Sequence, residues 1–288
     1  NWVGKYERNG KTFFNDFLAS KFFSIRDGLD MYVNFLVECK YKSENHSWYF
    51  FKNPTTGSPE SVVENYVFNQ FFEAFIKSKN LKLNHNEKSN IMFEDFGFPI
   101  VNKGIDISEK DGTENNILEA ISQVSYGSLN AQYEGYIFFS EVIEEIFENH
   151  APGFNPAIIV TIPIIVTTAP INIFNYNLTL EDIKKENDIT HLFRTVPGVV
   201  FNRNEYKDEK KILESLILSG ELKFSDSLLN WFRSNSEFEK NIYLSMKNGM
   251  IKSVYIINYY YLEKCFAEIV NRIENICKSI DKGLVIKT

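Results

Sequence analysis

A carboxylate and an ammonium group stand two residues apart in the tripeptide Glu38-Cys39-Lys40. Alternate side chains of a strand point to the same face, so Glu38 and Lys40 would emerge together, about 6 to 7 Å apart. Asp30 precedes them, and a carboxylate on an adjoining strand would complete a set of hard oxygen ligands suited to Mg²⁺. The lysine can offset the charge that grows on a phosphodiester as it is cut. The spacing therefore predicts a metal-dependent phosphodiesterase site.

The segment around the tripeptide predicts a hairpin that would position these groups. A charged pair at strand spacing is usually only a solvated strand face. Here the pair directly follows an apolar run, at a strand end, where sites in α/β sheets collect. Residues 24–33 and 35–41 are expected to form hairpin strands around turns at Asp27-Gly28 and Asn34. This hairpin would bring Asp30 to Glu38.

The order of these residues resembles the signature of a known family. An aspartate, a spacer and then Glu38-Cys39-Lys40 match the pattern of the PD-(D/E)XK, or restriction-endonuclease-like, phosphodiesterases, with Leu29 where the family name has proline. The resemblance implies that Asp30, Glu38 and the backbone carbonyl of Cys39 hold Mg²⁺, with Mn²⁺ as a substitute. It also implies that Lys40 is the catalytic lysine.

A second motif extends the resemblance. The run VECKYK followed by SWYFF is similar to the Mrr-type and related branches, over residues 8–170. Gln123 and Tyr126 resemble the Q-x-x-x-Y helix motif of some members, although here they stand three residues apart. That spacing still keeps both side chains on one helical face. The resemblance predicts that Gln123 contacts the substrate phosphate or Lys40, whereas core packing is the alternative for Tyr126.

Other acids compete with Asp30. Residues 9–23 carry apolar side chains at helical spacing and are expected to form the first helix. In the family this helix can carry an auxiliary acid near the metal, and Asp16 stands close to that place. Asp27 competes for the metal, but Asp-Gly is a turn signature, so Asp30 is preferred. The further candidates are Asn15, Glu7 and Asp106.

The composition is typical of a globular enzyme and disfavours a broad basic surface, a disulfide framework and a zinc site. The chain has 288 residues, 44% hydrophobic and 24% charged, which suits one or two domains. Its net charge of −7 disfavours a broad basic surface, because phosphate neutralisation supplies most non-specific affinity for nucleic acid. Three widely spaced cysteines form neither a disulfide framework nor a zinc pattern and indicate a reducing cytoplasm.

Several further chemistries find no support in the sequence. The longest apolar stretch, residues 157–173, is broken by prolines, so it predicts buried strands and no membrane association is expected. Nucleotide-binding, serine-hydrolase and zinc-protease motifs are absent from the sequence. The four histidines are scattered in polar loops, which leaves histidine-based nuclease chemistry unsupported.

The resemblance implies an α/β fold. Residues 1–175 are expected to form a restriction-endonuclease-like core with a mixed central β-sheet flanked by helices, and residues 176–288 a C-terminal α/β extension packed on the core. Further strands are expected at 46–51, within 91–107, at 157–175, 196–202 and 253–259, and helices at 60–78, 115–149, 177–187, 210–218, 225–247 and 261–279.

The expected activity is that of a cytoplasmic, metal-dependent endonuclease that hydrolyses phosphodiester bonds of nucleic acid. DNA is favoured over RNA as the substrate, and bacterial restriction or phage defence as the setting. The alternative is a non-cleaving nucleic-acid-binding or scaffold subunit of a defence complex with the same fold. A homodimer, or a partner protein of a defence system, is compatible with either function.

Overall fold

The computed structural model describes residues 5–8, 11–14, 16–26, 29–52, 81–87, 97–108, 112–125, 127–128, 157–174, 189–202 and 253–286. The strands are β1 (Lys5–Arg8), β2 (Lys11–Phe14), β3 (Phe17–Arg26), β4 (Leu29–Lys40), β5 (Ser47–Lys52), β6 (Leu81–Leu83), β7 (Ile100–Ile107), β8 (Gly112–Thr113), β9 (Ala157–Thr167), β10 (Ile171–Phe174), β11 (Phe193–Val196), β12 (Gly198–Asn202), β13 (Ser253–Asn258) and β14 (Leu284–Ile286). Helix α1 covers residues 115–125, helix α2 covers Leu262–Gly283, and a 3₁₀ turn at Tyr259–Tyr261 precedes α2.

The fold is mixed α/β, built on a large mixed sheet. Among the described residues, the strand order is β11-β10-β5-β7-β12-β13-β9-β4-β3, with β8 paired to β7. Strands β4, β9 and β13 are parallel neighbours, whereas β3 runs antiparallel to β4. Two separate pairs, β1 with β2 and β6 with β14, complete the described strands.

Strand β4 lies inside this sheet, with a helix on each face. Its second half is buried almost without interruption, as expected for a strand covered on both sides. Val33, Phe35 and Val37 join the cluster that α2 covers, whereas Leu36 joins the cluster that α1 covers. Helix α2 contributes buried residues at helical spacing, namely Cys265, Ile269, Ile273, Ile276 and Ile280. A side chain on the Leu36 face of β4 therefore points toward α1.

The helix predicted over residues 9–23 is wrong, because the chain there forms β2 and β3. Near the end of β3, Phe23 and Ile25 are buried while Phe22 and Ser24 are exposed. This alternation has the two-residue period of a strand, and aromatic and β-branched residues pack well on a pleated surface. The phenylalanines of this segment therefore have the spacing of a helix face but lie on strands.

The turn predicted at Asn34 is also wrong, whereas the chain does reverse between Arg26 and Leu29, where a turn at Asp27-Gly28 is predicted. Strand β4 runs unbroken from Leu29 to Lys40, and the antiparallel pairing lies one step earlier, between β3 and β4. Asn34, expected to form a turn, is a buried strand residue whose Oδ1 accepts a hydrogen bond from Ser20 Oγ at 2.7 Å. A partner across the sheet thus satisfies a polar residue that, in sequence alone, resembles a turn.

Several predicted elements are confirmed. They are the strand after His46, the strand pair in residues 157–175, the strand beginning at Ser253 and the terminal helix. The first part of the helix expected over 115–149 is also present, as α1. The predicted helices at 60–78, 177–187, 210–218 and 225–247 lie outside the described residues.

The central sheet also crosses the domain boundary expected after residue 175. Strands β11, β12 and β13 come from the segment expected to be an extension, and β12 and β13 lie between β7 and β9.

Within the described parts of the chain, no helix is long and apolar enough to cross a membrane.

Candidate active site

Glu38 and Lys40 lie at the carboxyl end of β4, on the face that α1 covers. Glu38 is only 5% exposed, and its Oε1 lies 2.8 Å from Lys40 Nζ. Lys40 Nζ also donates a hydrogen bond to Gln123 Oε1 on α1. The structure therefore brings together three residues that the sequence predicted for one site, and two acceptors hold the ammonium group.

Asp16 is the aspartate that approaches this pair. Strand β3 pairs Phe17 with Val37, so the residue before Phe17 lies across from Glu38. Asp16 Oδ2 accepts a hydrogen bond from the backbone N–H of Cys39, at 2.5 Å. Asp16, the auxiliary acid expected on a helix, therefore lies directly before β3, a strand at the edge of the described sheet.

Asp30 does not approach Glu38, which corrects the predicted ligand pair. Both residues belong to one continuous strand and are eight positions apart, which is roughly 26 Å at the rise of a strand residue. Asp30 instead pairs with Ser24 of β3 and Ala157 of β9, at the opposite end of the sheet. The expected convergence depended on a turn at Asn34, and the chain does not turn there.

The electrostatics of Glu38 are those of a carboxylate in an unfavourable position. Burial raises the pKa of Glu38 above its ordinary value, and the negative charges of Asp16 and Glu119 raise it further, whereas the hydrogen bond and charge of Lys40 oppose the shift. Its second oxygen, Oε2, is buried and has no hydrogen-bond partner among the described residues. Three carboxylates near one ammonium leave an excess of negative charge.

The Cys39 side chain does not share this chemistry. Burial, together with the charges of Asp16 and Glu38, raises the pKa of the Cys39 thiol to about 11. Cys39 alternates with Glu38 and Lys40 along β4, so its side chain points to the opposite face of the strand. Only the backbone carbonyl of Cys39 remains as a candidate ligand.

A second polar network adjoins the first. The carboxylate of Asp106, on β7, is 1% exposed and accepts from Lys42 Nζ at 2.9 Å, Asn116 Nδ2 at 2.8 Å and His46 Nδ1 at 2.9 Å. Burial alone would raise the pKa of Asp106, but the hydrogen bonds from His46, Lys42 and Asn116, with the charge of Lys42, outweigh it and lower that pKa. Asp106 is therefore a stable carboxylate.

Helix α1 links the two networks. Asn116 contacts Asp106, and Gln123, two turns later, contacts Lys40, so one helical face spans both. The residue after β9 provides a second link: Thr168 donates its N–H to the Lys40 carbonyl at 3.3 Å, and its Oγ1 accepts from the Lys42 N–H at 2.8 Å and donates to the Lys42 carbonyl at 2.9 Å. The two networks form one polar surface at the ends of β4, β7 and β9.

Sequence reasoning missed part of this surface. In the sequence His46 resembles a loop histidine, yet it contacts a buried aspartate; the only signal is its place directly before β5. Glu119 and Asn116 precede Gln123 by one and two helical turns, a spacing that could have identified them once Gln123 was a candidate. Asn15, Asp27 and Tyr126 lie outside the described residues, as does the side chain of Glu7.

No family model, curated protein or solved structure matches this chain. Among the described residues, no set of three or more histidine, cysteine, aspartate or glutamate side chains is arranged to hold a metal ion.

Proposed function

We propose that this chain is a metal-dependent phosphodiesterase with a restriction-endonuclease-like core, acting on nucleic acid. The observation that carries the proposal is Glu38: its Oε1 holds Lys40, while its buried Oε2 has no partner among the described residues. A buried polar atom without a partner costs about 1–3 kcal/mol, and more when charged. A carboxylate kept in that state beside Asp16 and Glu119 is suited to a cation.

The residues fit Mg²⁺ in type and number. Mg²⁺ takes oxygen ligands, often one or two carboxylates completed by waters and substrate oxygens, so a full cage of side chains is not required. Glu38 and Asp16 would supply the carboxylates. The N–H and C=O of one strand residue face the same neighbour. The Cys39 carbonyl therefore faces the side on which Asp16 accepts the Cys39 N–H. Bound Mg²⁺, or Mn²⁺ in its place, would supply Lewis-acid polarisation of the phosphoryl oxygen.

Lys40 is suited to stabilise charge that develops on the phosphate. An ammonium group has three N–H donors, and Glu38 and Gln123 accept two of them. The third can donate to an oxygen of the scissile phosphate. Because two acceptors already orient the side chain, little reorganisation is needed when charge grows in the transition state. Gln123 is thus a positioning residue that acts through Lys40.

Nucleic acid as the substrate, with DNA favoured over RNA, is supported by the resemblance of Glu38-Cys39-Lys40 to the family signature. A role in restriction or phage defence has the same support. The observed geometry changes one member of the proposed ligand set, because Asp16 takes the place first given to Asp30.

The test compares four variants in single-turnover cleavage of labelled nucleic acid with Mg²⁺. Glu38→Gln and Asp16→Asn should abolish cleavage while leaving the unfolding midpoint near that of the parent chain or above it. Asp30→Asn is the matched control, because Asp30 lies on β4 with Glu38 but at the opposite end of the strand. This variant should cleave normally. Gln123→Ala should retain reduced activity, since Lys40 keeps Glu38 as an acceptor.

Two results would contradict the proposal. Loss of cleavage in Asp30→Asn with retention in Asp16→Asn would reverse the ligand assignment. Absence of cleavage by the parent chain with either Mg²⁺ or Mn²⁺, despite nucleic-acid binding, would favour the non-cleaving scaffold.

A further inference from the structure

Three parallel strands end together beside the candidate active site. Lys40 of β4 pairs with Thr167 of β9, and Thr167 pairs with Asn258 of β13. Neighbouring strands lie about 4.8 Å apart, so the ends of β4 and β13 are separated by roughly 10 Å. The residues that directly follow Lys40 and Asn258 therefore share one edge of the sheet.

Those following residues are tyrosines with exposed side chains. Tyr41 is 83% exposed, and Tyr259, Tyr260 and Tyr261 are 56%, 78% and 45% exposed. They make up nearly half of the large apolar side chains that are exposed in the described parts of the chain. Exposed aromatic groups that share one edge of a sheet are typical of binding surfaces.

The turn that carries three of these tyrosines is held firmly. Asn258 is buried, its Oδ1 accepts from the Tyr260 N–H at 3.0 Å, and its Nδ2 donates to the Ala169 carbonyl at 2.8 Å. Ala169 follows Thr168, which is hydrogen bonded to Lys42. A chain of hydrogen bonds thus fixes the tyrosine turn relative to the strand end that carries Lys40. Preorganised groups lose little conformational freedom on binding.

We propose that Tyr41 and Tyr259–Tyr261 form a stacking surface for the unpaired bases of a single-stranded nucleic acid. This tyrosine surface rests on the proposed function, whose substrate it narrows to single strands or to the unpaired part of a longer molecule. Every base has a π-face, so stacking on aromatic side chains is tolerant of sequence.

The exposed rings favour unpaired bases over a duplex. Duplex binding draws on phosphate neutralisation by many lysine and arginine residues, and the net charge here is −7. Stacking on aromatic rings contributes to single-strand affinity in addition to any phosphate contacts. A duplex also keeps its bases away from side chains outside the grooves, whereas a single strand can place successive bases on successive rings.

The test measures binding by fluorescence anisotropy, in Ca²⁺ and in EDTA, so that cleavage does not enter. The probes are a fluorescein-labelled single-stranded DNA, an RNA of the same sequence and the corresponding DNA duplex. The parent chain should bind the single strands more tightly than the duplex. Tyr260→Ala should raise the Kd for single strands on the order of 5- to 150-fold, with an unchanged salt slope, whereas Tyr260→Phe should bind like the parent.

Phe22→Ala is the matched control, because Phe22 is a comparably exposed aromatic residue of β3 that also contacts another ring, that of Tyr32. It lies well away from the tyrosine surface and should leave the Kd unchanged. Three results would overturn the tyrosine surface: an effect of Tyr260→Ala no larger than that of Phe22→Ala, equal affinity for duplex and single strand, or no binding to any probe. The last result is expected if these rings bind another protein.

Binding and cleavage separate the two proposals. Tyrosine-dependent binding without cleavage would retain the surface and refute the phosphodiesterase. Cleavage by the parent chain, together with binding that Tyr260→Ala does not weaken, would retain the phosphodiesterase and refute the tyrosine surface. The DNA and RNA arms show which sugar the site accepts.

Discussion

Replacing Asp106 with asparagine should destabilise the fold more than any exposed ion-pair change. The Asp106 carboxylate receives three donors, from Lys42, His46 and Asn116, and is almost completely buried. Asparagine keeps a similar shape but has one acceptor oxygen. With its oxygen toward His46, its NH₂ group would face Lys42 and Asn116, which are both donors. With its oxygen toward those two, its NH₂ group faces His46, which must then carry its proton on Nε2 so that Nδ1 accepts. In both orientations Lys42 loses the charge of its partner.

The expected magnitude follows from the burial of the partners. Removing one member of a buried ion pair costs about 3–5 kcal/mol, because the other charge is left without compensation. Lys42 and His46 each keep some solvent contact, with side chains 17% and 28% exposed, so part of that cost is relieved by water. We therefore expect Asp106→Asn to lower the free energy of unfolding by about 2–4 kcal/mol.

Urea unfolding at neutral pH measures this change, and Glu114→Gln is the matched control. Glu114 pairs with Lys103, which lies on the same strand as Asp106, at 3.1 Å, but the two side chains are 42% and 47% exposed. An exposed pair of this kind contributes about 0–1 kcal/mol. Equal effects of the two substitutions would show that the Asp106 contacts do not form.

The lowered pKa of Asp106 adds a pH signature to the same experiment. A carboxyl with a depressed pKa in the folded state contributes stability that is present above its unfolded value, about 3.9, and is lost as pH falls through the folded value. The difference between the parent chain and Asp106→Asn should therefore shrink as the pH is lowered below about 4. A difference that grows on acidification would show that Asp106 is protonated in the folded state.

Two further predictions concern the candidate active site. Lys40→Ala should lower the single-turnover cleavage rate on the order of 10²- to 10³-fold with little change in affinity, as expected for a group that acts in the transition state; a lost affinity with an intact rate would identify Lys40 as a simple phosphate contact. The raised pKa of Glu38 means that ionisation of this carboxyl opposes folding. In EDTA, the free energy of unfolding of Glu38→Gln should therefore exceed that of the parent chain by an amount that grows as pH rises from the unfolded pKa through the folded pKa. Urea midpoints of the two proteins that converge over this range would contradict the assignment.

The sequence was sufficient to place Glu38, Lys40 and Gln123 in one candidate site. Glu38 and Lys40 follow an apolar run, and an apolar run in an α/β protein predicts a buried strand with its functional groups at the end. Gln123 could be placed because its helix has a clear apolar face, formed by residues such as Ile117 and Ile121. In each case the neighbouring sequence carries a strong periodic signal.

The remaining partners depend on pairing between distant segments, which a local pattern does not encode. Asp106 and His46 meet because β5 and β7 are antiparallel neighbours, although dozens of residues separate them in the chain. Their contact could be predicted only from the strand order, and the strand order is set by how the whole sheet buries its faces. His46 therefore resembled a loop histidine until that order was known.

The exchange of Asp30 for Asp16 shows why spacing alone did not identify the second acid. An aspartate eight residues before Glu38 reaches it only if the chain reverses between them, and the choice between a turn and a continuous strand depended on Asn34. Asn34 favours turns in isolation. In the sheet it gains a hydrogen bond from Ser20 of β3, so the strand continues and the reversal occurs earlier. Moving the reversal carries Asp30 to the far end of the sheet and brings the start of β3, with Asp16, to the end of β4. The pairing of β3 with β4 thus decides which carboxylate can share a cation with Glu38.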